Sequence, residues 1–211
     1  PGGGNGNPPA GDLKAGQVQI KGYAGSSGKK IVFYATAKKL TIDWGDGQKE
    51  EITPNGVRQE FPHEYENATN FQTISINTED LTEIGVIRYY ESSYNCDIRE
   101  LRFGNCPKLK EIGGLSTSGL TVFEINKAES LEQLSIEKTD LTELNLIGCI
   151  NLKSLNCNGN RLSATALNSL FTSLPVRTAA DDAMIRCWEN PGFDSCNISI
   201  AENKGWYVNY W

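Results

Sequence analysis

Histidine occurs once in the 211 residues, at His63, and methionine also once. One imidazole excludes a histidine-based metal cage, and a Ser-His-Asp arrangement would have only His63 to use, with no G-x-S-x-G elbow in the chain to serve it. Basic charge is short as well: 20 Lys+Arg stand against 26 Asp+Glu, a formal net charge of −6, and no basic stripe stands out, so nucleic acid is not an expected partner. No apolar run approaches the roughly 18 residues of a membrane span. The opening PGGGNGNPPAGDL has neither a basic n-region nor an apolar h-region. Six cysteines are too few for a disulfide scaffold. Asp43 and Asp46, the nearest thing to a cation site, supply too few oxygens for calcium. No metal and no cofactor is expected.

What is abundant is turn chemistry. Twenty-one glycines and eight prolines, with much Asn, Ser and Thr, suit short strands and bends better than helical bundles. Residues 1–11 have nothing to bury and read as a flexible leader. From Gln17 the texture changes: VQIKGY, KIVFYAT, LTIDW and FQTISIN alternate faces, are rich in β-branched and aromatic residues, and predict a small antiparallel sandwich over 12–79. Between two of them Asp43-Trp44-Gly45-Asp46-Gly47 supplies the positive-φ positions of a tight turn and a large ring to bury. His63-Glu64-Tyr65 precedes the last strand. Asp43, Asp46 and His63 are expected to bond turn backbone. The WGDG sequence followed by His63-x-Tyr65 and a Thr-Ile-Ser-Ile strand resembles the polycystic-kidney-disease (PKD) type of immunoglobulin-like module, over roughly Asp12 to Thr78, with Asn70 where that family has glycine. The resemblance implies an extracellular spacer or adhesive domain.

From Leu81 the period changes. LKEIGG, LEQLSI and LKSLNC begin at Leu109, Leu131 and Leu152, and a second set, IRELRF, LTVFEI and LTELNL, begins at Ile98, Leu120 and Leu141; both recur at steps of 22 and 21 residues. Two short strands per repeat are predicted. LKSLNCNGNRL, Leu152 to Leu162, is the leucine-rich repeat consensus, with Leu152, Leu155, Cys157 and Leu162 pointing inward and the Asn160 side chain satisfying backbone in the bend after the strand. Ala164, Leu167, Leu170 and Phe171 recur at helical spacing before Pro175 and predict an inserted helix. After it MIRCWENPGF realigns, Ile185 with Leu155, Cys187 with Cys157 and Asn190 with Asn160. Trp206, Tyr207, Tyr210 and Trp211 are suited to cover the end of the stack. On this register Cys157 and Cys187 are buried free thiols, and Cys106 and Cys149 lie two strands apart, roughly 10 Å, beyond bridging distance. A bridge between Cys187 and Cys196 stays open. Cys96 has no obvious partner.

The stretch 80–211 resembles the leucine-rich surface proteins of Bacteroidetes-type bacteria, whose 21-residue repeats alternate an L-x-x-L-x-C-x-x-N-x-L strand with an L-x-x-L-D-V-like one, and NPGFDSCNISIAENKGW resembles that family's terminal segment. The first repeat departs from the pattern, stretched to 28 residues between Leu81 and Leu109. The expected architecture is thus mainly β: a PKD/Ig-like sandwich followed by a short leucine-rich repeat solenoid with a helical insertion and a C-terminal cap. The resemblance implies a bacterial outer-membrane lipoprotein, exposed outside the cell and held to the membrane only through a lipid anchor upstream of residue 1. The strand residues expected to face solvent are Glu83, Ile87, Glu111, Gln133, Ser135, Glu137, Ser154, Asn156, Asn158, Arg186 and Trp188, with Trp188 as the exposed aromatic. Of these Glu111, Gln133, Ser135, Glu137, Asn156, Asn158, Arg186 and Trp188 are the candidate ligand-binding residues. The expected function is adhesion or recognition of a host or cell-surface protein or glycan, without catalysis. The alternatives are a structural spacer and a glycoside hydrolase using Glu111 and Glu137, whose carboxyls would need a separation of about 5 to 10 Å in a cleft.

Overall fold

The protein is described by a computed structural model over residues 12–24, 30–66, 70–86, 97–115 and 117–209. Alternation of β-branched and polar residues drives the first strands, β1 (Gln17–Tyr23), β2 (Lys30–Thr36) and β3 (Leu40–Asp43). In β1 every second side chain is buried. The next two, β4 (Lys49–Ile52) and β5 (Arg58–Glu64), carry no apolar alternation that would announce them. Both are sheet edges, where charged side chains guard the open backbone and Pro62 forfeits no ladder bond. β6 (Gln72–Asn77), β7 (Glu83–Val86), β8 (Asp97–Asn105), β9 (Glu111–Gly113), β10 (Val122–Lys127), β11 (Gln133–Ser135) and β12 (Ser154–Asn156) follow. Then come α1 (Ala164–Ser173), β13 (Met184–Arg186), α2 (Ser199–Glu202) and β14 (Tyr207–Asn209).

The fold is mainly β, with two mixed sheets. One has six strands in the order β10-β8-β1-β6-β3-β4, the other eight in the order β14-β13-β12-β11-β9-β7-β2-β5. In each, an antiparallel part made by residues before 80 continues into a parallel part made by residues after it. β8 pairs antiparallel with β1 and parallel with β10. β7 does the same between β2 and β9. The buried side chains of both parts form one apolar cluster, from Val18 and Phe33 through Leu109 and Leu155 to Val208.

The parallel part of the larger sheet follows the sequence period. Glu111 pairs with Gln133 and Gln133 with Ser154, offsets of 22 and 21 residues. Leu155 pairs with Ile185 across the helical insertion, as the realignment predicts. After β11, β12 and β13 the chain turns through a left-handed residue each time, Lys138 (φ 51°), Gly159 (φ 61°) and Glu189 (φ 58°). A non-glycine residue there costs roughly 1–2 kcal/mol, which the polar spine beneath the bend offsets. Asn160, buried, donates its amide to the carbonyls of Ile136, Cys157 and Asn158 and accepts from the Leu141 N–H. Asn190 repeats the arrangement one repeat on, donating to the Cys157 and Cys187 carbonyls and accepting from the Leu162 N–H at 3.0 Å. Thr139 continues the row by donating its hydroxyl to the Asn160 side-chain oxygen.

The smaller sheet departs from the expectation of two strands in every repeat. The segment 141–146, equivalent to β10 by sequence, is not a strand, and at the next repeat α1 takes the place of one. α1 starts where the sequence predicts, with the Ser163 hydroxyl accepting from the Ala166 N–H at 3.2 Å, and buries Leu167, Leu170 and Phe171. The ladder ends on Trp206, buried and donating its indole N–H to the Pro175 carbonyl at 2.8 Å, while Tyr207 is exposed. Tyr210 and Trp211, like the leader 1–11, lie outside the described residues.

The spine makes a quantitative demand. Asn160→Ala leaves the Ile136 carbonyl, the Leu141 N–H and the Thr139 hydroxyl without their shared partner in the interior, and is expected to lower unfolding free energy by about 3 kcal/mol. Asn151→Ala, which removes one exposed bond to the Glu129 carbonyl, is expected to cost under about 1 kcal/mol by urea denaturation.

Candidate functional site

A sheet that changes from antiparallel to parallel keeps its side-chain alternation across the change, so one face of the eight-stranded sheet is continuous. Its first cross-strand row crosses all eight strands: Arg58, Thr36, Glu83, Glu111, Gln133, Ser154, Met184 and Tyr207. At about 4.8 Å per strand this row spans roughly 34 Å. The second row is Glu60, Tyr34, Gly85 and Gly113, continuing through Ser135, Asn156, Arg186 and Asn209.

The two glycines of the second row are placed by a close approach. The Tyr34 ring lies over them: a Cβ on Gly85 would sit 2.5 Å from the ring and one on Gly113 2.8 Å from its hydroxyl. The Arg58 guanidinium stacks 3.6 Å above the same ring and pairs with Glu83 at 3.0 Å, while Glu83 also accepts from the Thr36 hydroxyl at 2.9 Å. Burial pushes the Tyr34 phenol above its ordinary pKa, Arg58 opposes this, and Glu83 and Glu111 add to the rise. A neutral, packed tyrosine therefore joins the two parts of the sheet.

Of the candidate residues, Gln133 is exposed, and Glu111, Ser135, Glu137, Asn156 and Arg186 are half-buried, all on or beside these rows. Asn156 donates to the Glu137 carboxylate at 3.0 Å. Arg186, between Asn156 and Asn209 in register, has no ion-pair partner among the described residues. Two expectations need correction. Asn158 is buried, 4 % exposed, because its backbone closes the bend above Asn160, donating N–H to the Asn156 side chain and accepting from the Lys138 N–H. Trp188 is half-buried rather than exposed, with its indole nitrogen fully covered. The Asn158 side-chain oxygen and the Trp188 indole N–H, neighbours in the repeat register, are both buried without a hydrogen-bond partner among the described residues. Ile87 lies outside the described residues. Residues the sequence reading missed are Tyr34, Arg58, Met184, Tyr207 and Asn209; the signal available was parity, since Phe33 faces inward and Tyr34 must face out.

Glu137 lies four residues beyond Gln133, the partner of Glu111, past the end of β11, an extended-chain Cα separation of about 13 Å. His63 and Asp46 do meet, at 2.8 Å, and the imidazole stacks on Trp44 with ring centres 4.3 Å apart and 9° between planes. Tyr65 meets the His63 ring edge-on and donates its hydroxyl to the Trp44 carbonyl. Asp43 and Asp46 accept from turn N–H groups, of Gly45 and Gln48, as expected, but His63 bonds a carboxylate and not the backbone. Trp44, His63 and Tyr65 are buried, and the group packs as part of the interior. No group of three or more metal-ligating side chains occurs among the described residues.

Cys106, Cys149, Cys157, Cys187 and Cys196 are free thiols, so Cys187 and Cys196 are not bridged; Cys96 lies outside the described residues. Burial pushes Cys106, Cys149 and Cys187 up to about 12 and Cys157 well above its usual value. No family model, no curated protein and no solved structure matches the chain.

Two measurements follow from these environments. In a Cys96→Ser background, a thiol reagent at pH 8 is expected to label Cys196, half-buried, before any other cysteine, with Cys106, Cys149, Cys157 and Cys187 reacting only on unfolding. The second concerns acid. Burial raises the Asp46 carboxyl, but hydrogen bonds from His63 and the Gln48 N–H outweigh it and leave the pKa below the ordinary value; Lys49 and the Gly45 N–H lower Asp43. Carboxyls depressed in the folded state stabilise it above their unfolded pKa, and that stability is lost as pH falls through the folded value. Stability is therefore expected to decline from about pH 5 downward, with a shallower decline in Asp46→Asn, read from denaturation midpoints between pH 7 and 2.

Proposed function

We propose that this chain is a non-catalytic recognition module of a bacterial cell surface, a PKD-like sandwich fused to a short leucine-rich repeat solenoid, and that it binds a protein or glycan through the outer face of the eight-stranded sheet. The observation that carries the reading is the far part of the second row, in which Arg186 pairs in register with Asn156 and Asn209 and has no ion pair among the described residues. A planar cation flanked by amides is suited to a carboxylate or to vicinal hydroxyls of a ligand. Trp188, two positions further along, supplies apolar area beside it. Glu83, by contrast, is already paired with Arg58 and Thr36, and so contributes to the scaffold more than to a ligand.

Rigidity favours the same reading. The side chains of the two rows stand on strands, so little conformational entropy is lost when they engage a partner. The sequence resemblance to exported leucine-rich proteins supports the location and the adhesive role. The backbone separation of Glu111 and Glu137 weighs against hydrolysis. A spacer role would ask nothing of Arg186, which makes no ion pair among the described residues.

The test is a screen of the 211-residue chain against arrayed host glycans and extracellular-matrix proteins, with Arg186→Ala, Gln133→Ala and Trp188→Ala in parallel. A ligand is expected whose affinity falls at least tenfold in Arg186→Ala, with an unchanged melting temperature. Binding retained in all three variants moves the site off this face, and no binding at all leaves the spacer reading.

A further inference from the structure

The two sheets differ in one neighbour, and the difference opens a cavity. In the eight-stranded sheet β7 and β9 lie side by side, whereas in the six-stranded sheet β1 stands between β6 and β8. The chain crosses from the smaller sheet to the larger twice here, from β6 to β7 through residues 78–82 and from β8 to β9 through residues 106–110. These crossings start two strand spacings apart, roughly 10 Å, and end one spacing apart, roughly 5 Å. At the narrow end they bond directly, Lys110 N–H donating to the Thr82 carbonyl at 2.9 Å. At the wide end Gly16 bridges them, donating its N–H to the Asn105 carbonyl at 2.8 Å and accepting from the Thr78 N–H at 2.9 Å. Only glycine fits there: its φ is 73°, and a Cβ would sit 2.0 Å from the Thr78 carbonyl oxygen.

The next pair of crossings has no such wedge. β10 lies directly beside β8 and β11 beside β9. Those crossings bond to each other at both ends, Cys106 N–H to the Lys127 carbonyl and Glu132 N–H to that of Lys110, each at 2.9 Å. Between the first pair a cavity of about 230 Å³ remains. Its apolar lining includes Leu81, Cys106 and Pro107, while Glu79 comes from one crossing and Lys108 from the other. The Thr78 hydroxyl, also in the lining, is already engaged with the Lys39 carbonyl at 2.8 Å and with Asp80 at 3.0 Å. Burial keeps the Cys106 thiol uncharged, so it serves as apolar surface. Glu79 and Lys108 are exposed at their ends, and neither makes an ion pair among the described residues, with the other included.

An apolar interior flanked by one unpaired charge of each sign calls for a ligand that carries both. The cavity is smaller than the roughly 300–1,000 Å³ that drug-sized ligands occupy, and the crossings, tied at both ends, have little freedom to part. We propose that this cavity binds a free α-amino acid with a small aliphatic side chain, its ammonium beside Glu79, its carboxylate beside Lys108 and its side chain against Leu81, Cys106 and Pro107. The site uses none of the residues of the face proposed above and does not depend on that reading.

The test is a ¹⁵N-resolved titration of the 211-residue chain with L-leucine, alongside N-acetyl-leucine, which lacks the ammonium, and leucine amide, which lacks the carboxylate. Leucine is expected to shift the amide signals of Gly16, Glu79, Leu81 and Lys108, and both blocked forms to bind at least tenfold more weakly. Glu79→Gln should remove the preference for leucine over N-acetyl-leucine, and Lys108→Gln the preference over leucine amide, both at unchanged melting temperature. Ala15→Trp, at an exposed position of the lining, should fill the cavity and abolish the shifts. Either blocked form binding as tightly as leucine, shifts confined to other parts of the chain, affinity indifferent to both charge substitutions, or no shifts at about 10 mM leucine would each overturn the proposal.

Discussion

Four residues, Glu83 to Val86, hold two kinds of strand pairing at once. A strand has two edges, and β7 uses one for the antiparallel β2 and the other for the parallel β9. Everything after it inherits its register. Because side chains alternate with a period of two, a slip of one residue at β7 would turn every later strand of the larger sheet inside out, exposing Ile112, Leu134, Leu155 and Ile185. The Tyr34 ring laid over Gly85 and Gly113 opposes such a slip, because only glycine leaves room for it at those two positions. The seam is fixed from above by an aromatic ring and from below by Phe33, Ile84 and Ile112 in the common core.

The ladder beyond the seam was legible because each of its rules is local or periodic. The 21- and 22-residue offsets specify which residues pair, the Leu155 and Ile185 match survives the insertion of α1, and Asn160 and Asn190 act alike because both sit beneath a left-handed bend. Other features depend on which edges meet, and sequence spacing does not carry that. β4 and β5 are charged because they are edges, so they lack the alternation that marks a strand. The exposure of Asn158 and Trp188 was misjudged for a related reason: strict alternation holds along a strand, but both residues lie past its end, where the chain bends back over its own spine. The Trp44, His63 and Asp46 group was visible only as separate turn residues, since 17 residues separate Asp46 from His63 and the antiparallel arrangement alone brings them together.

Burial decides the chemistry of the titratable groups in a consistent direction. The ladder thiols are replaceable small apolar side chains, and their raised pKa values follow from an interior with no cation to stabilise a thiolate. The depressed carboxylates are all near the surface, where a donor can reach them: Asp43 beside Lys49, Asp46 beside His63, and Glu100, which burial raises but Lys21 and Arg102 lower further. Among the described residues the interior is thus inert and the charge lies toward the periphery.

The helical insertion accounts for the one place where the periodic rules fail. A helix is about 10 Å across and a strand needs about 4.8 Å to its neighbour, so replacing a strand by α1 in a ladder otherwise built of strands creates a mismatch of roughly one strand width. The larger sheet absorbs none of it, since β12 and β13 remain in register. The smaller sheet therefore has to. Leu144 and Leu146 stay buried in the core while the segment 141–146, where a strand would continue the period, is not one.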